Sequence, residues 1–183
     1  MGIEVTATSL PDVKLIAPKV FGDARGYFFE SFNARDFAGQ VQAGVEFVQD
    51  NQSRSARGVL RGLHYQLHHP QGKLVRVLEG EIFDVAVDLR RRSPTFGQWT
   101  GVRLSAENKH QLWVPAGFAH GFVVLSEGAQ VFYKTTDFWH PEHERSLVWN
   151  DPDIGIEWPI DFEPVLAAKD AAGQRLADAE CYE

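Results

Sequence analysis

Two histidine-containing segments carry residue types suited to proton transfer. Segment 58–80 contains His64, Gln66 and Lys73, and segment 113–122, WVPAGFAHGF, contains His120. A neutral imidazole can remove a proton from carbon when the resulting anion is stabilised. A nearby cation can stabilise an enolate oxygen in a site that excludes water. His64 and Lys73 therefore predict a general base beside an oxyanion site.

Two further groups would complete such a site. Tyr133, in the segment QVFYKTTDF, is a candidate phenol that returns a proton, and a regular strand would turn Lys134 to the opposite face. A carboxylate that orients the imidazole is also expected. The chain has 25 Asp and Glu residues, and their pattern alone does not select one.

The same residues argue against a bound metal ion. A lysine ammonium cannot ligate a cation, and a glutamine amide is a poor ligand for transition metals. We therefore expect the site to attract an anion. The adjacent pair His68-His69 is an alternative metal ligand set, but the following Pro70-Gln71-Gly72 favours an exposed loop.

The elements that must position these residues are mostly strands. In segment 82–89, Phe83, Val85, Val87 and Leu89 alternate with Ile82, Asp84, Ala86 and Asp88. Other predicted strands are 3–8, 13–17, 27–32, 45–52, 59–66, 73–78, 98–104, 111–114, 120–125, 129–135 and 146–149, and Glu79-Gly80 is predicted to close a hairpin. Helices are expected only at 33–41, with Asn33 as N-cap, and within 164–180. The regular spacing of the strands predicts an all-β sandwich or barrel.

A regular strand poses a problem for the combined site. Arg61 and His64 differ by an odd number of positions, so a regular strand would turn them to opposite faces. Gly62 could provide a bulge that brings both side chains to one face. The hypothesis further expects that His64 and Lys73 do not lie on opposite walls of the sandwich.

Length and charge limit the class of protein. The 183 residues favour a single domain, and the net charge of −7 argues against nucleic acid and anionic membranes as partners. The N-terminal residues MGIEVTATSLPDV lack a secretory signal pattern, and no apolar run is long enough for a membrane span. The only cysteine, Cys181, favours a reducing compartment. We therefore expect a cytoplasmic location.

The paired histidine segments resemble the two motifs of the cupin superfamily, whose fold is a double-sheet jelly roll. Longer stretches resemble the dTDP-4-dehydrorhamnose 3,5-epimerase family from about residue 3 to about residue 173. The stretches are DARGYFFESFN at 23–33, FVQDNQSRS at 47–55, GVLRGLHYQ at 58–66, QGKLVRVLEGEIFDVAVDLRRRSPTFGQW at 71–99, QLWVPAGFAHGF at 111–122, YKTTDFWHPEHE at 133–144 and LVWNDPDIGIEWP at 147–159.

The resemblance implies epimerisation of a dTDP-4-keto-6-deoxy sugar at C3 and C5, without a metal or other cofactor. His64 resembles the base, Asp170 the carboxylate that orients it, Lys73 the cation beside the C4 oxyanion, and Tyr133 the acid at C5. The substrate-binding positions implied are Arg25, Glu30, Gln49, Asn51, Arg61, His120, Glu144 and Lys169. Phe138-Trp139 departs from the family, in which tyrosines are frequent there.

The resemblance also implies a homodimer, in which the N-terminal strand pairs with the second subunit. We expect one cupin-like domain over 1–183, with a core at about 3–160, short peripheral helices and a C-terminal helical segment at 164–183. Three alternatives stay open. One is a single-carbon epimerase for a related dTDP-4-keto sugar, the second is a non-catalytic module that binds sugar nucleotides, and the third is a metal-dependent dioxygenase or isomerase.

Overall fold

The computed structural model describes residues 2–183, and strands dominate it. The strands are β1 (Ile3–Ala7), β2 (Lys14–Pro18), β3 (Val20–Asp23), β4 (Gly26–Phe29), β5 (Gln49–Ala56), β6 (Leu60–Gln66), β7 (Lys73–Glu79), β8 (Glu81–Asp88), β9 (Trp99–Ser105), β10 (Gln111–Val114), β11 (Phe118–Val124), β12 (Gly128–Thr135) and β13 (Glu144–Ser146). The helices are α1 (Ala34–Gln40) and α2 (Ala168–Ala171), with a 3₁₀ turn at Pro141–His143. Neither helix is long enough to cross a membrane, and no described residue belongs to such a span.

Two antiparallel sheets form a sandwich. The six-stranded sheet has the order β1-β2-β10-β7-β12-β5, and the five-stranded sheet has the order β13-β6-β11-β8-β9. Apolar side chains from both sheets fill the space between them, among them Val75, Val131, Ile82 and Phe122. The predicted all-β jelly roll is confirmed.

The outer face of each sheet is covered by non-sheet segments. Phe37 of α1 packs with Leu74 and Trp113 on the six-stranded sheet. Residues after the last strand, including Trp158 and Tyr182, pack on the outer face of the five-stranded sheet. The sandwich therefore has an apolar interior and two covered outer faces, which leaves its open end for a ligand.

Strand alternation explains which side chains point inward. In β8, Ile82 and Ala86 pack in the inner cluster while Val85 and Val87 pack on the outer face, as the period-two pattern predicts. The predicted hairpin at Glu79-Gly80 is wrong. β7 and β8 belong to different sheets, and Gly80 turns the chain from one to the other with φ +78°. A Cβ at Gly80 would collide with the carbonyl oxygen of Gly128, so only glycine fits.

The helix predictions have mixed outcomes. The helix at 33–41 is confirmed as α1, and the Asn33 side chain accepts hydrogen bonds from the N–H groups of Arg35 and Asp36. The C-terminal helical segment at 164–183 is largely wrong, since only Ala168–Ala171 is helical. The chain beyond it instead forms bridges to Leu147 and Arg90, which hold it flat against the five-stranded sheet. The strand β3 was not predicted.

The predicted bulge in β6 is present. β6 pairs with β11 through His64–His120 and Arg61–Phe122, so β6 carries one extra residue between the two pairs. Gly62 has φ +129°, and a Cβ there would lie 2.5 Å from Cα of Gly121. This irregularity turns Arg61 and His64 toward the same side, which a regular strand would not do.

The expectation that His64 and Lys73 avoid opposite walls of the sandwich is wrong as stated. His64 lies on the five-stranded sheet and Lys73 on the six-stranded sheet. Both side chains nevertheless point inward, and Lys73 Nζ donates a hydrogen bond of 3.4 Å to the His64 carbonyl oxygen. The two residues therefore face each other across one cavity, although they belong to different sheets.

Candidate active site

A cavity of about 540 Å³ opens between the two sheets at one end of the sandwich. This size lies within the range that holds a small-molecule ligand. Ten of the twelve residues predicted for the site line it: Gln49, Asn51, Arg61, His64, Lys73, His120, Tyr133, Glu144, Lys169 and Asp170. The cavity therefore concentrates the titratable groups that the sequence pattern and the resemblance single out.

His64 is paired with a buried carboxylate. Its Nε2 lies 2.5 Å from Oδ1 of Asp170, which is 2% exposed, whereas the His64 side chain is 22% exposed. Asp170 belongs to α2, which packs against β6. When the Asp170 carboxylate accepts a hydrogen bond from Nε2–H, the other ring nitrogen, Nδ1, carries no hydrogen and is free to act as the base. The pair thus has the arrangement of an oriented general base.

Lys73 lies at the inner end of β7, with its ammonium in a desolvated position. Burial lowers the pKa of Lys73 to about 8, while Glu144 and Asp84 oppose this shift and Lys169 adds to it. Removing water from a charged ammonium disfavours its charged form. At neutral pH the group is still mainly protonated, so it can stabilise a negative oxygen in the cavity.

Tyr133 points inward from β12 and packs against the inner core. Burial raises the pKa of its phenol and Glu144 adds to the rise, while Arg61 opposes it. The phenol therefore keeps its proton at neutral pH and can donate it. Lys134 points to the other face, as predicted, where it lies 2.9 Å from Asp50.

A second histidine–carboxylate pair lies beside the first. His120 is directly opposite His64 in the pairing of β11 with β6, and its Nε2 is 2.8 Å from Oδ1 of Asp84. The side chains of His120 and Asp84 are only 8% and 0% exposed. The other carboxylate oxygen of Asp84 is buried without a hydrogen-bond partner among the described residues. Asp84 therefore brings a negative charge to the cavity floor, and this charge raises the pKa of Lys73.

The rim of the cavity carries paired charges. Lys169 Nζ lies 3.0 Å from Glu144, and Arg61 Nε donates a hydrogen bond of 2.9 Å to Ser55. Across the cavity, the amide of Gln49 donates to that of Asn51 over 3.0 Å. The Arg61 guanidinium, bonded to a neutral hydroxyl, and the Lys169 ammonium, paired with Glu144, are the rim cations that an anionic ligand such as a diphosphate could contact.

Two predicted binding residues lie outside this cavity. Arg25 sits at the tip of the β3–β4 hairpin, where its side chain is 90% exposed and bonded to Asp23. Glu30 follows the hairpin and accepts a hydrogen bond from Asn33. Arg25 and Glu30 therefore do not line this cavity within the single chain, and their binding of substrate stays a prediction.

Several lining residues were missed. Ser53 and Trp139 line the cavity, and Asp84 lies just beneath His120. Asp84 had a signal in the sequence, since it shares the inward face of β8 with Ile82 and Ala86. Trp139 had been noted only as part of the Phe138-Trp139 departure from the family, and because it lies in a segment without regular structure, only the fold shows that it reaches the rim.

Comparisons with known proteins agree with this geometry. The profile of the dTDP-4-dehydrorhamnose 3,5-epimerase family matches residues 7–178. A dTDP-4-dehydrorhamnose 3,5-epimerase of Pseudomonas aeruginosa is 64% identical over 98% of this chain and 99% of the relative.

Solved structures are similar as well. A dTDP-6-deoxy-D-glucose-3,5-epimerase of Legionella pneumophila, in complex with dTDP-4-keto-L-rhamnose, matches with a TM-score of 0.95 and 53% identity over 97% of this chain and 95% of the other. A 3'-monoepimerase of Streptomyces bikiniensis, in complex with dTDP-quinovose, matches with a TM-score of 0.86 and 34% identity over 93% and 87%. On the profile match and the near-complete coverage, the chain belongs to the dTDP-4-dehydrorhamnose 3,5-epimerase family.

Proposed function

We propose that this chain converts dTDP-4-dehydro-6-deoxy-D-glucose to dTDP-4-dehydro-L-rhamnose by epimerisation at C3 and C5, in dTDP-L-rhamnose biosynthesis. The observation that carries the proposal is the His64–Asp170 pair, which faces Lys73 and Tyr133 in one cavity. Family membership supports it. The reaction needs no cofactor, because the C4 ketone of the substrate accepts the electron pair from each adjacent carbon.

Each epimerisation proceeds through an enolate. His64 takes the proton from C5 or C3, and the electron pair of the C–H bond moves to the C4 oxygen. The Lys73 ammonium stabilises the resulting oxyanion from the opposite wall. At C5, Tyr133 donates a proton to the other face, the electron pair returns from oxygen to carbon, and the phenolate regains a proton from solvent. His64 releases its proton to solvent before it takes the proton from C3, and solvent supplies the proton to the other face of C3.

The remaining lining residues would hold the nucleotide sugar. Arg61 and Lys169 supply positive charge for the diphosphate, and the Arg61 guanidinium can bind two phosphate oxygens together. Gln49, Asn51 and His120 supply further hydrogen-bonding groups for the sugar and base. This local positive charge explains how a chain with a net charge of −7 could bind an anionic substrate.

Deuterium incorporation tests the reaction. We expect that NMR of the substrate incubated with enzyme in D₂O detects deuterium at both C3 and C5. Deuterium at one carbon only would instead support the single-carbon epimerase, an alternative favoured by the similarity to the 3'-monoepimerase. Binding without any exchange would support the non-catalytic module and exclude the proposed reaction.

The role of Tyr133 can be separated from that of His64. We expect Tyr133→Phe to retain exchange of the C5 proton while net inversion at C5 slows, because the base remains but the opposite acid is lost. NMR of exchange alongside product formation measures both rates. Inversion at the wild-type rate would show that the proton comes from another donor.

The chain is further proposed to form a homodimer in which Arg25 and Glu30 complete the cavity of the partner subunit. Three aromatic side chains of the hairpin, Phe21, Tyr27 and Phe28, are 43%, 65% and 62% exposed. The edge strand β1 pairs only with β2 among the described residues, so its other edge can accept a strand. Both features support an interface next to the hairpin.

Mixing two inactive variants tests this arrangement. Arg25→Ala and His64→Asn homodimers should each have low activity, whereas refolding them together should restore about a quarter of the wild-type sites if Arg25 acts across the interface. Light scattering gives the oligomeric state independently. No recovery in mixed dimers, or a monomer in solution, contradicts the proposal.

A cytoplasmic location also stays part of the proposal. It is supported by the single cysteine, Cys181, which has no partner for a disulfide within the chain. Fractionation of cells expressing the untagged chain would test it. Recovery with secreted or periplasmic marker proteins would contradict it.

A further inference from the structure

Four of the seven histidines gather beside the mouth of the cavity, outside the machinery described above. His68 and His69 lie in the loop between β6 and β7, and His140 and His143 lie in the segment after β12. The His69 and His140 rings are stacked with centroids 4.2 Å apart, and the His68 and His143 rings meet edge to face at 5.0 Å. Neither the fold nor the proposed epimerisation requires this concentration of imidazoles.

Three of these side chains and their neighbours form a compact set of donor atoms. One ligand atom each from His69, Asp137 and His140 lies within 4.8 Å of the others, and His69 Nδ1 is 3.4 Å from Asp137 Oδ2. Two imidazoles and one carboxylate match a common donor set for zinc, in which a fourth position is left for water. Imidazole also suits Cu²⁺ and Ni²⁺, whereas Mg²⁺ and Ca²⁺ prefer oxygen ligands.

The backbones that carry these donors are held by buried or half-buried side chains. Gln66 is 3% exposed; its amide nitrogen donates to the His69 carbonyl at 2.7 Å, and its amide oxygen accepts from the His140 N–H at 2.7 Å. The Asp137 carbonyl accepts hydrogen bonds of 2.9 Å from both Gln71 and Thr135. A single buried amide thus fixes two candidate ligands relative to each other.

We propose that His69, Asp137 and His140 form a binding site for one divalent transition-metal ion of the zinc class. A tetrahedral ion with bonds of about 2.0 Å needs ligand atoms about 3.3 Å apart. The donors must therefore approach by about 1.5 Å at most, which rotation of exposed side chains can provide, since the His69 side chain is 52% exposed.

The site goes beyond the proposed epimerisation and is separate from its chemistry. The ion would join the loop at 67–72 to the segment 137–140, and this segment includes Trp139, which lines the cavity. Binding would therefore fix the position of Trp139 at the cavity mouth. It would not place the ion among His64, Lys73 and Tyr133.

Calorimetric titration of the tag-free protein with Zn²⁺ tests the site. We expect one ion per chain, with affinity reduced at least tenfold in His69→Asn and in His140→Asn. His110→Asn is the matched control, because it removes an imidazole outside the cluster and should leave the affinity unchanged. The circular dichroism of each variant checks its fold.

Co²⁺ provides a second readout that does not depend on activity. Binding at this site should produce visible absorption bands characteristic of nitrogen and oxygen ligands, and Asp137→Asn should weaken them. Asp137→Asn retains an acceptor for the hydrogen bond from the Phe138 N–H, so the local turn should survive. Absence of stoichiometric binding by the wild-type chain, or an affinity for Zn²⁺ in the His69→Asn and His140→Asn variants equal to that of the wild type, would falsify the proposal.

Discussion

The two histidine–carboxylate pairs have the same chemical groups but different surroundings. Asp170 reaches His64 from the short helix α2, 106 positions away, and His64 keeps part of its ring open to the cavity. Asp84 and His120 lie on neighbouring strands of one sheet and are both buried. In the proposed reaction the first pair exchanges a proton with the substrate, whereas the second pair places a carboxylate beneath the cavity.

The contrast shows that a histidine–carboxylate hydrogen bond does not by itself identify a base. What differs is access, because a general base must reach a proton on the substrate. The two carboxylates also differ in the groups they affect. Asp170 contacts His64, whereas Asp84 contacts His120 and also raises the pKa of Lys73. The following predictions test this division of roles.

The largest expected effect is on His64. We expect His64→Asn to lower kcat for epimerisation by about 10⁴-fold, at the upper end for loss of a general base, and to abolish deuterium exchange at both carbons. His120→Asn should reduce kcat by less than about 10²-fold and act mainly through KM. Steady-state kinetics and NMR exchange measure both. Equal losses of kcat in the two variants would contradict the assignment of different roles to His64 and His120.

The carboxylates provide the next test. We expect Asp170→Asn to lower kcat by about 10²- to 10⁴-fold, because an amide no longer holds the imidazole in its basic tautomer. Asp84→Asn should cost less activity, since the proposed reaction assigns removal of the substrate proton to His64 and not to His120. Kinetics of the two purified variants decide the order. A greater loss in Asp84→Asn would show that the base belongs to the His120–Asp84 pair and not to the His64–Asp170 pair.

The third prediction concerns the ammonium of Lys73, which contacts the His64 backbone and is influenced by the charge of Asp84. We expect Lys73→Met to lower kcat by about 10²- to 10³-fold, because the enolate oxygen loses its cation. Lys73→Arg keeps a cation and should retain more activity if it fits. Wild-type activity in Lys73→Met would remove Lys73 from the mechanism.

The same substitution has an effect on stability with a definite sign. The folded chain holds Lys73 at a pKa of about 8, below the ordinary value of 10.5, so the unfolded chain binds more protons between these values. Stability therefore rises with pH through this window. Lys73→Met should be more stable than the wild type at pH 7 by on the order of 1–3 kcal/mol. The difference should shrink toward pH 10.5 in urea unfolding experiments.

The smallest effect is a shift in the pH profile. Because the protonated form of Lys73 is active, the rate should fall as pH rises through about 8. Asp84→Asn removes a charge that raises the pKa of Lys73, so the alkaline limb should move to lower pH. Asp161→Asn, at an exposed position, should leave it in place. If the alkaline limb of the pH–rate profile is unchanged in Asp84→Asn, Asp84 does not affect the pKa of Lys73.

Strand alternation accounts for most of what could be predicted. It places Tyr133 inward and Lys134 outward on β12, and it turns Asp84 to the inner face of β8. These outcomes follow from the two-residue period of an extended chain, which is a local property. The bulge at Gly62 was also predictable, since a glycine stands where two inward side chains are separated by an odd interval.

The amino-acid sequence by itself determined the all-β class, the helix capped by Asn33 and the residue types that could remove a proton. Only the tertiary structure decided that Gly80 joins two sheets, that Lys73 faces His64 across a cavity, and that His69 meets His140. These contacts join positions far apart in the chain, so they depend on how the sheets pack. Local periodicity records which face a side chain occupies, but not which distant face it meets.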